Sequence, residues 1–153
     1  MPACHAPPLL GIGRSTETPG TRATDGGASD AAAVSPVPAD FAARYGRVGP
    51  DSFVAFGHAA GRYAATVYVS PEGKDVALGS ARPVPAGTMV VMVDVERSTH
   101  RPGPTYFMQR QAGDAGAWTY GVVELPGLTP ADVSLCARCH EEAPLDGLFA
   151  LPE

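Results

Sequence analysis

Cys136-Ala137-Arg138-Cys139-His140 carries the most definite chemistry in this chain. C-x-x-C-H is the pattern by which a polypeptide holds haem covalently. The two thiols add across the two vinyl groups, and the two-residue spacer separates the sulfurs along one side of the macrocycle. The adjacent imidazole then lies under the iron as its proximal ligand. Two other uses of a C-x-x-C pair fit less well. Half of a zinc site needs a second C-x-x-C or an H-x-x-x-H, and the sequence has neither. A redox dithiol belongs in a βαβ setting, which the surrounding pattern lacks. The expected cofactor is one covalent haem c, held by Cys136 and Cys139, with His140 as the iron ligand.

The elements that must position this motif follow from composition and periodicity. Residues 1–40 contain no Phe, Trp or Tyr and are dominated by Ala, Pro, Gly, Ser and Thr. Such a segment cannot offset the entropy of ordering and reads as a flexible tether, leaving 41–153 as one folded domain. A net charge of −5 argues against nucleic acid as a partner. No apolar run approaches the roughly 20 residues of a membrane span. Covalent haem attachment happens outside the cytoplasm, so a periplasmic or otherwise exported location is expected. Leu9-Leu10-Gly11-Ile12 is too short for the apolar core of a signal peptide. Met1-Pro2-Ala3-Cys4 resembles the end of a bacterial lipoprotein signal, with Cys4 as the lipid anchor; the alternative is an incidental thiol in a tail.

Phe41–Tyr45 reads as the last turn of a short helix stopped by Gly46 and Pro50. Strands are expected over 63–69, 88–95, 106–110 and 117–123, the last two joined as a hairpin through Gly113-Asp114-Ala115-Gly116. Thr129-Pro130-Ala131-Asp132 has the form of a helix start, Thr129 as N-cap and Pro130 at the first helical position, and this short C-terminal helix would carry the haem cysteines. The class is α+β and mainly β. Met89, Met92 and Met108 sit at strand spacing among valines and read as core filling. No methionine follows His140 to close the sixth iron position. A four-helix-bundle haem protein is excluded because long apolar stretches of 3.6 period are missing. A mainly β scaffold with an open iron position remains.

From about Gly57 to Phe149 the chain resembles the cytochrome P-460 family, which includes the β-sheet cytochromes c′ (cytochrome c′-beta). The resemblance is carried by Gly57-His58-Ala59-Ala60-Gly61-Arg62-Tyr63, Val67-Tyr68-Val69, Pro85-Ala86-Gly87-Thr88, Phe107-Met108 and Trp118-Thr119-Tyr120. It closes with Cys136 to Ala143 and Asp146-Gly147-Leu148-Phe149. It implies a large antiparallel sheet packed on a few short helices, a homodimer and a pentacoordinate haem. One branch oxidises hydroxylamine and nitric oxide, with a lysine cross-linked to the haem ring, and passes electrons to an acceptor protein. The other binds nitric oxide behind an aromatic cap.

Lys74 is the only lysine in the chain and falls roughly where the cross-linking lysine is expected, although Pro71-Glu72-Gly73-Lys74-Asp75 also reads as a solvated turn. Hydroxylamine oxidation needs a base on the distal side. Strand alternation puts Met92, Asp94 and Glu96 on one face, and Asp94 and Glu96 are the candidate bases; the competing reading is a solvated strand end. Counting from Gly87-Thr88 puts the family's acid nearer Val93, so Asp94 serves only if a bulge re-aims it. Arg62 is the candidate for a haem propionate, since guanidinium suits planar carboxylates. Phe53, Phe56, Tyr63, Tyr68 and Phe107 are candidates for a distal cap. The ligand classes are a small nitrogen oxide or hydroxylamine, and the alternatives are an oxidoreductase, a nitric-oxide-binding protein and a plain electron carrier.

Overall fold

The computed structural model describes residues 35–75, 83–113, 117–124, 127–129 and 134–151. One antiparallel sheet holds six strands in chain order: β1 (Gly46–Val54), β2 (Tyr63–Val69), β3 (Met89–Glu96), β4 (Pro102–Arg110), β5 (Trp118–Glu124) and β6 (Gly127–Thr129). Each strand pairs with its neighbours in the chain, which makes a meander. Two helices flank it, α1 (Phe41–Arg44) and α2 (Ser134–Glu141). The mainly β class is as read from the sequence. The tether reading of 1–40 and the Cys4 anchor lie almost wholly outside the described residues; within them, Val37 is buried and packs with Met89, Val91 and Phe107.

One element differs from expectation for a physical reason. The first helix stops at Arg44, before Gly46, as expected, but Gly46 and Pro50 lie inside β1, a strand the local signals do not announce. β1 is an edge strand, and between the pairs Val48↔Val67 and Phe53↔Ala65 its residues Gly49 to Ser52 bulge opposite Thr66. A proline without an N–H is tolerated at such an edge bulge, and the Thr66 hydroxyl ties the bulge down by donating to Asp51 O at 3.0 Å. Thr129 pairs with Val122 as the last residue of β6; the helix start expected at Thr129-Pro130-Ala131-Asp132 falls on 130–133, which lie outside the described residues. The α2 helix that carries the cysteines is where the sequence put it.

The register sorts the side chains onto two faces. One face runs through Tyr68, Val91, Phe107 and Gly121. It forms the main core with Val37 and Met89, covered by Phe41 and Tyr45 of the α1 region. Burying side chains such as Val91 and Phe107 contributes roughly 1.5–3 kcal/mol each. The other face carries the rows Val67–Met92–Tyr106–Val122 and Val69–Val90–Met108–Tyr120, then Arg110 beside Trp118. Leu151 returns across it to pack on Val48, Val67 and Val69. This second face positions the candidate site.

Candidate functional site

α2 lies against β5. In a helix, residues at i, i+3 and i+4 share a face, so Cys136, Cys139 and His140 project together. The His140 ring packs between Tyr120 and Phe149, each with its ring centroid 5.5 Å away. Its Nδ1 is 2.7 Å from Gly147 O. A backbone carbonyl only accepts, so Nδ1 carries a proton, and Nε2 is the nitrogen left to offer a lone pair when the ring is neutral. A neutral imidazole oriented through one nitrogen and left basic at the other is the arrangement that metal-ligating histidines use.

The carbonyl that orients His140 is itself pinned. Asp146 and Gly147 have φ of 52° and 88°, a left-handed turn. The indole N–H of Trp118 donates to Asp146 O at 3.0 Å, and Val84 N donates to Asp146 Oδ2 at 2.8 Å. Arg110, 7% exposed, reaches Asp146 Oδ1 at 3.1 Å. Arg110 Nη1 makes no hydrogen bond of good angle, so this contact is charge against charge. The same guanidinium lies 5.5 Å from the centroid of the Trp118 ring. Arg110 is therefore a buried clamp on this turn. A Cβ added at Gly147 would come within 2.5 Å of Trp118 Nε1, at a φ that disfavours any side chain. Gly147→Ala is therefore expected to cost about 2 kcal/mol, read as a lower urea midpoint.

Asp94 shares the His140 face, since it pairs with Ala65 in unbroken register with Val67↔Met92. It is fully buried, not part of a solvated strand end, and neither carboxylate oxygen has a hydrogen-bond partner. Burial without partners pushes its pKa up to about 7. A bulge is present beside it, but on β4: Gly103 and Pro104 oppose Asp94 between Val93↔Thr105 and Val95↔Pro102. The strand alternation of Asp94 is unchanged. Gly103 lets β4 approach closely, because a Cβ there would meet the Tyr63 ring at 2.8 Å and Asp94 Cβ at 3.1 Å.

The remaining candidates are placed less centrally. Arg62 and Glu96 hold each other in a solvent-facing pair, with Nε donating to Oε1 at 2.8 Å. Glu96 also accepts from the Thr99 hydroxyl, and these two bonds, Thr99 first, hold its carboxyl below the usual range. Lys74 is exposed in the turn after Pro71–Gly73. Of the aromatic cap candidates, Tyr68 and Phe107 belong to the opposite face, and Phe56 is 70% exposed. Phe53 and Tyr63 lie on the site face, as do Tyr106 and Tyr120, and the parity of Tyr106-Phe107-Met108 with Arg110 is the signal that separates Tyr106 from Phe107.

His58 lies in the loop between β1 and β2. Its ring packs edge-on against Tyr106 at 5.1 Å, and its buried Nδ1 has no hydrogen-bond partner. Burial first, and the charge of His140 second, bring its pKa down to about 4. It is therefore neutral at physiological pH.

These residues fit a covalently held haem on one face of the sheet. The donor set is two thiol-bearing residues and an oriented imidazole on one helix. Met92, Met108, Tyr106 and Tyr120 supply an apolar and aromatic wall. α2 buries none of its residues, and Phe149 against His140 is 45% exposed, so this helix has apolar surface available to a planar ligand. Among the described residues no group of three or more His, Cys, Asp or Glu gathers as for a bare metal ion; a porphyrin needs only the axial histidine from the chain. Cys139 is disulfide-bonded, so thioether formation there requires prior reduction. Two surface grooves, beside Glu72 and Met89 and beside Val95 and His100, include no residue of α2. No known protein-family model matches this chain, and no curated protein matches it. Among the described residues no helix is long and apolar enough to cross a membrane.

Proposed function

We propose that this chain is an exported mono-haem c-type protein of the cytochrome P-460 and c′-beta kind, acting on hydroxylamine or nitric oxide. The observation that carries the reading is the Nδ1–H bond of His140 to a pinned carbonyl, within a C-x-x-C-H motif. Cys136 and Cys139 would hold the haem, and His140 Nε2 would ligate its iron. Bound there, the haem supplies an electron sink with an open coordination position. The chain's own part is to exclude water with the Met92, Met108, Tyr106 and Tyr120 wall, and to offer Asp94 as proton acceptor. A base is most effective when its pKa lies near the working pH, which is where burial sets Asp94. Electrons from hydroxylamine would pass to an acceptor protein, and a homodimer in the periplasm belongs to the same proposal. The exposed position of Lys74 favours the second reading, a nitric-oxide-binding protein without turnover.

The test is expression with haem-maturation machinery, followed by intact mass and an optical spectrum of the ferrous protein. The expected result is one covalent haem that is lost when Cys136 and Cys139 are both replaced by Ser. A broadened, red-shifted Soret band that survives denaturation and disappears in Lys74→Ala identifies the catalytic branch. An ordinary high-spin spectrum that changes only with nitric oxide identifies the binding branch. A matured chain with no haem refutes both.

A further inference from the structure

His58 has a placement that the proposed chemistry has not yet used. It lies between β1 and β2, immediately before Ala59 and Ala60, whose φ values of 46° and 51° are left-handed and unusual for alanine. Gly61 continues the turn at φ 78°. Strained backbone of this kind persists where surrounding contacts over-determine it, and it clusters at ligand sites. Those contacts are present: Arg97 Nη1 donates to Gly61 O at 3.1 Å, and Arg97 N donates to Arg62 O at 3.2 Å. The loop is thus stapled to the end of β3, and its one imidazole is turned onto the sheet.

The sheet register then places the two histidines. His58 packs on Tyr106 and His140 packs on Tyr120. Tyr106 pairs with Val122 and Tyr120 pairs with Met108, so the two tyrosines are diagonal neighbours on β4 and β5. Diagonal cross-strand neighbours stand about 7–8 Å apart. The two imidazoles thus approach one face of the sheet from different elements, the loop before β2 and helix α2, over adjacent tyrosines. One has its outer nitrogen committed to Gly147 O. The other has a buried Nδ1 with no partner, a group that costs free energy unless something supplies its hydrogen bond.

We propose that His58 is the distal residue of this site, hydrogen-bonding the small nitrogen ligand that enters the open coordination position opposite His140. This rests on the haem reading above. It adds a specificity element, because a polar partner favours ligands that form hydrogen bonds over apolar gases of equal size. Asp94 lies one row beyond Tyr106 on the same face, so His58 stands between the ligand position and the buried carboxylate.

The experiment compares wild-type holoprotein with His58→Leu and His58→Gln, using carbon monoxide and nitric oxide as probes and the haemochrome to count haem. With haem content unchanged, His58→Leu is expected to shift the carbon monoxide stretching band. Nitric oxide should also leave about five- to tenfold faster, the worth of one neutral hydrogen bond, with His58→Gln intermediate. Identical bands and rates in all three proteins overturn the proposal. So does a low-spin, six-coordinate wild type that becomes high-spin in His58→Leu, since His58 is then on the iron itself. A wild-type chain that takes no haem overturns the haem reading and this proposal with it, and the haemochrome distinguishes that failure from the other two.

Discussion

Asp94→Asn is expected to remove a pH dependence of stability and, if hydroxylamine is the substrate, most of the turnover. An unperturbed aspartate titrates near 3.8, and burial moves Asp94 to about 7. Between those values the native chain holds a proton that the unfolded chain has released. The folded pKa is raised, so the native state is most favoured below about 4 and loses stability as pH rises towards 7. At 1.36 kcal/mol per unit, the loss is on the order of 4 kcal/mol. Asparagine has no such titration. The difference between wild type and Asp94→Asn in urea midpoint, measured at pH 5 and pH 8, isolates this group from every other carboxylate. The variant should be the more stable protein at pH 8, with the advantage shrinking towards pH 5. A wild type whose advantage or deficit relative to the variant is independent of pH shows that Asp94 titrates normally. In the same preparation, loss of a general base lowers the oxidation rate by about 10²–10⁴; unchanged turnover leaves Asp94 with a structural role alone.

Asp146→Ala is expected to damage both the fold and the orientation of His140. The substitution removes the partner of a buried guanidinium and the acceptor of the Val84 N–H. Leaving one member of a buried ion pair uncompensated costs about 3–5 kcal/mol. The lower end applies, because the Asp146 side chain is 29% exposed while that of Arg110 is 8%. The second consequence reaches the site. The Asp146–Gly147 turn supplies the carbonyl that fixes the His140 tautomer, so a loosened turn should broaden or shift the iron–histidine vibration of the holoprotein. Second-shell partners of this kind matter nearly as much as the ligands they orient. Asp146→Asn keeps the shape and one acceptor, and should recover part of the stability and most of the vibrational signature. If Asp146→Ala unfolds cooperatively at the wild-type midpoint, the clamp is not energetically significant.

The strands over 63–69, 89–96 and 118–124 were legible because β-branched and aromatic runs bounded by Gly and Pro have few other ways to bury themselves. β1 was hidden by Gly46, Gly49 and Pro50, whose local preferences say turn. Only pairing with β2 along an edge, with the irregular residues bulged out, turns that segment into a strand. Glu96 and Arg62 were both chosen for their charge, but they lie on elements that meet at the sheet's margin and satisfy each other there.

The sequence by itself determined the C-x-x-C-H spacing, the mainly β class and the alternation that sets Asp94 with Met92. Each is local: covalent spacing, β-propensity and the two-residue period need no knowledge of distant partners. Tertiary structure alone decided that Asp94 loses all its solvent, that Arg110 is spent on Asp146, and that His58 and His140 come to one face over neighbouring tyrosines. Those outcomes depend on register between strands and on which segments return across the sheet. Burial and the resulting shift in proton affinity belong to the assembled neighbourhood of a residue, and no window of sequence contains it.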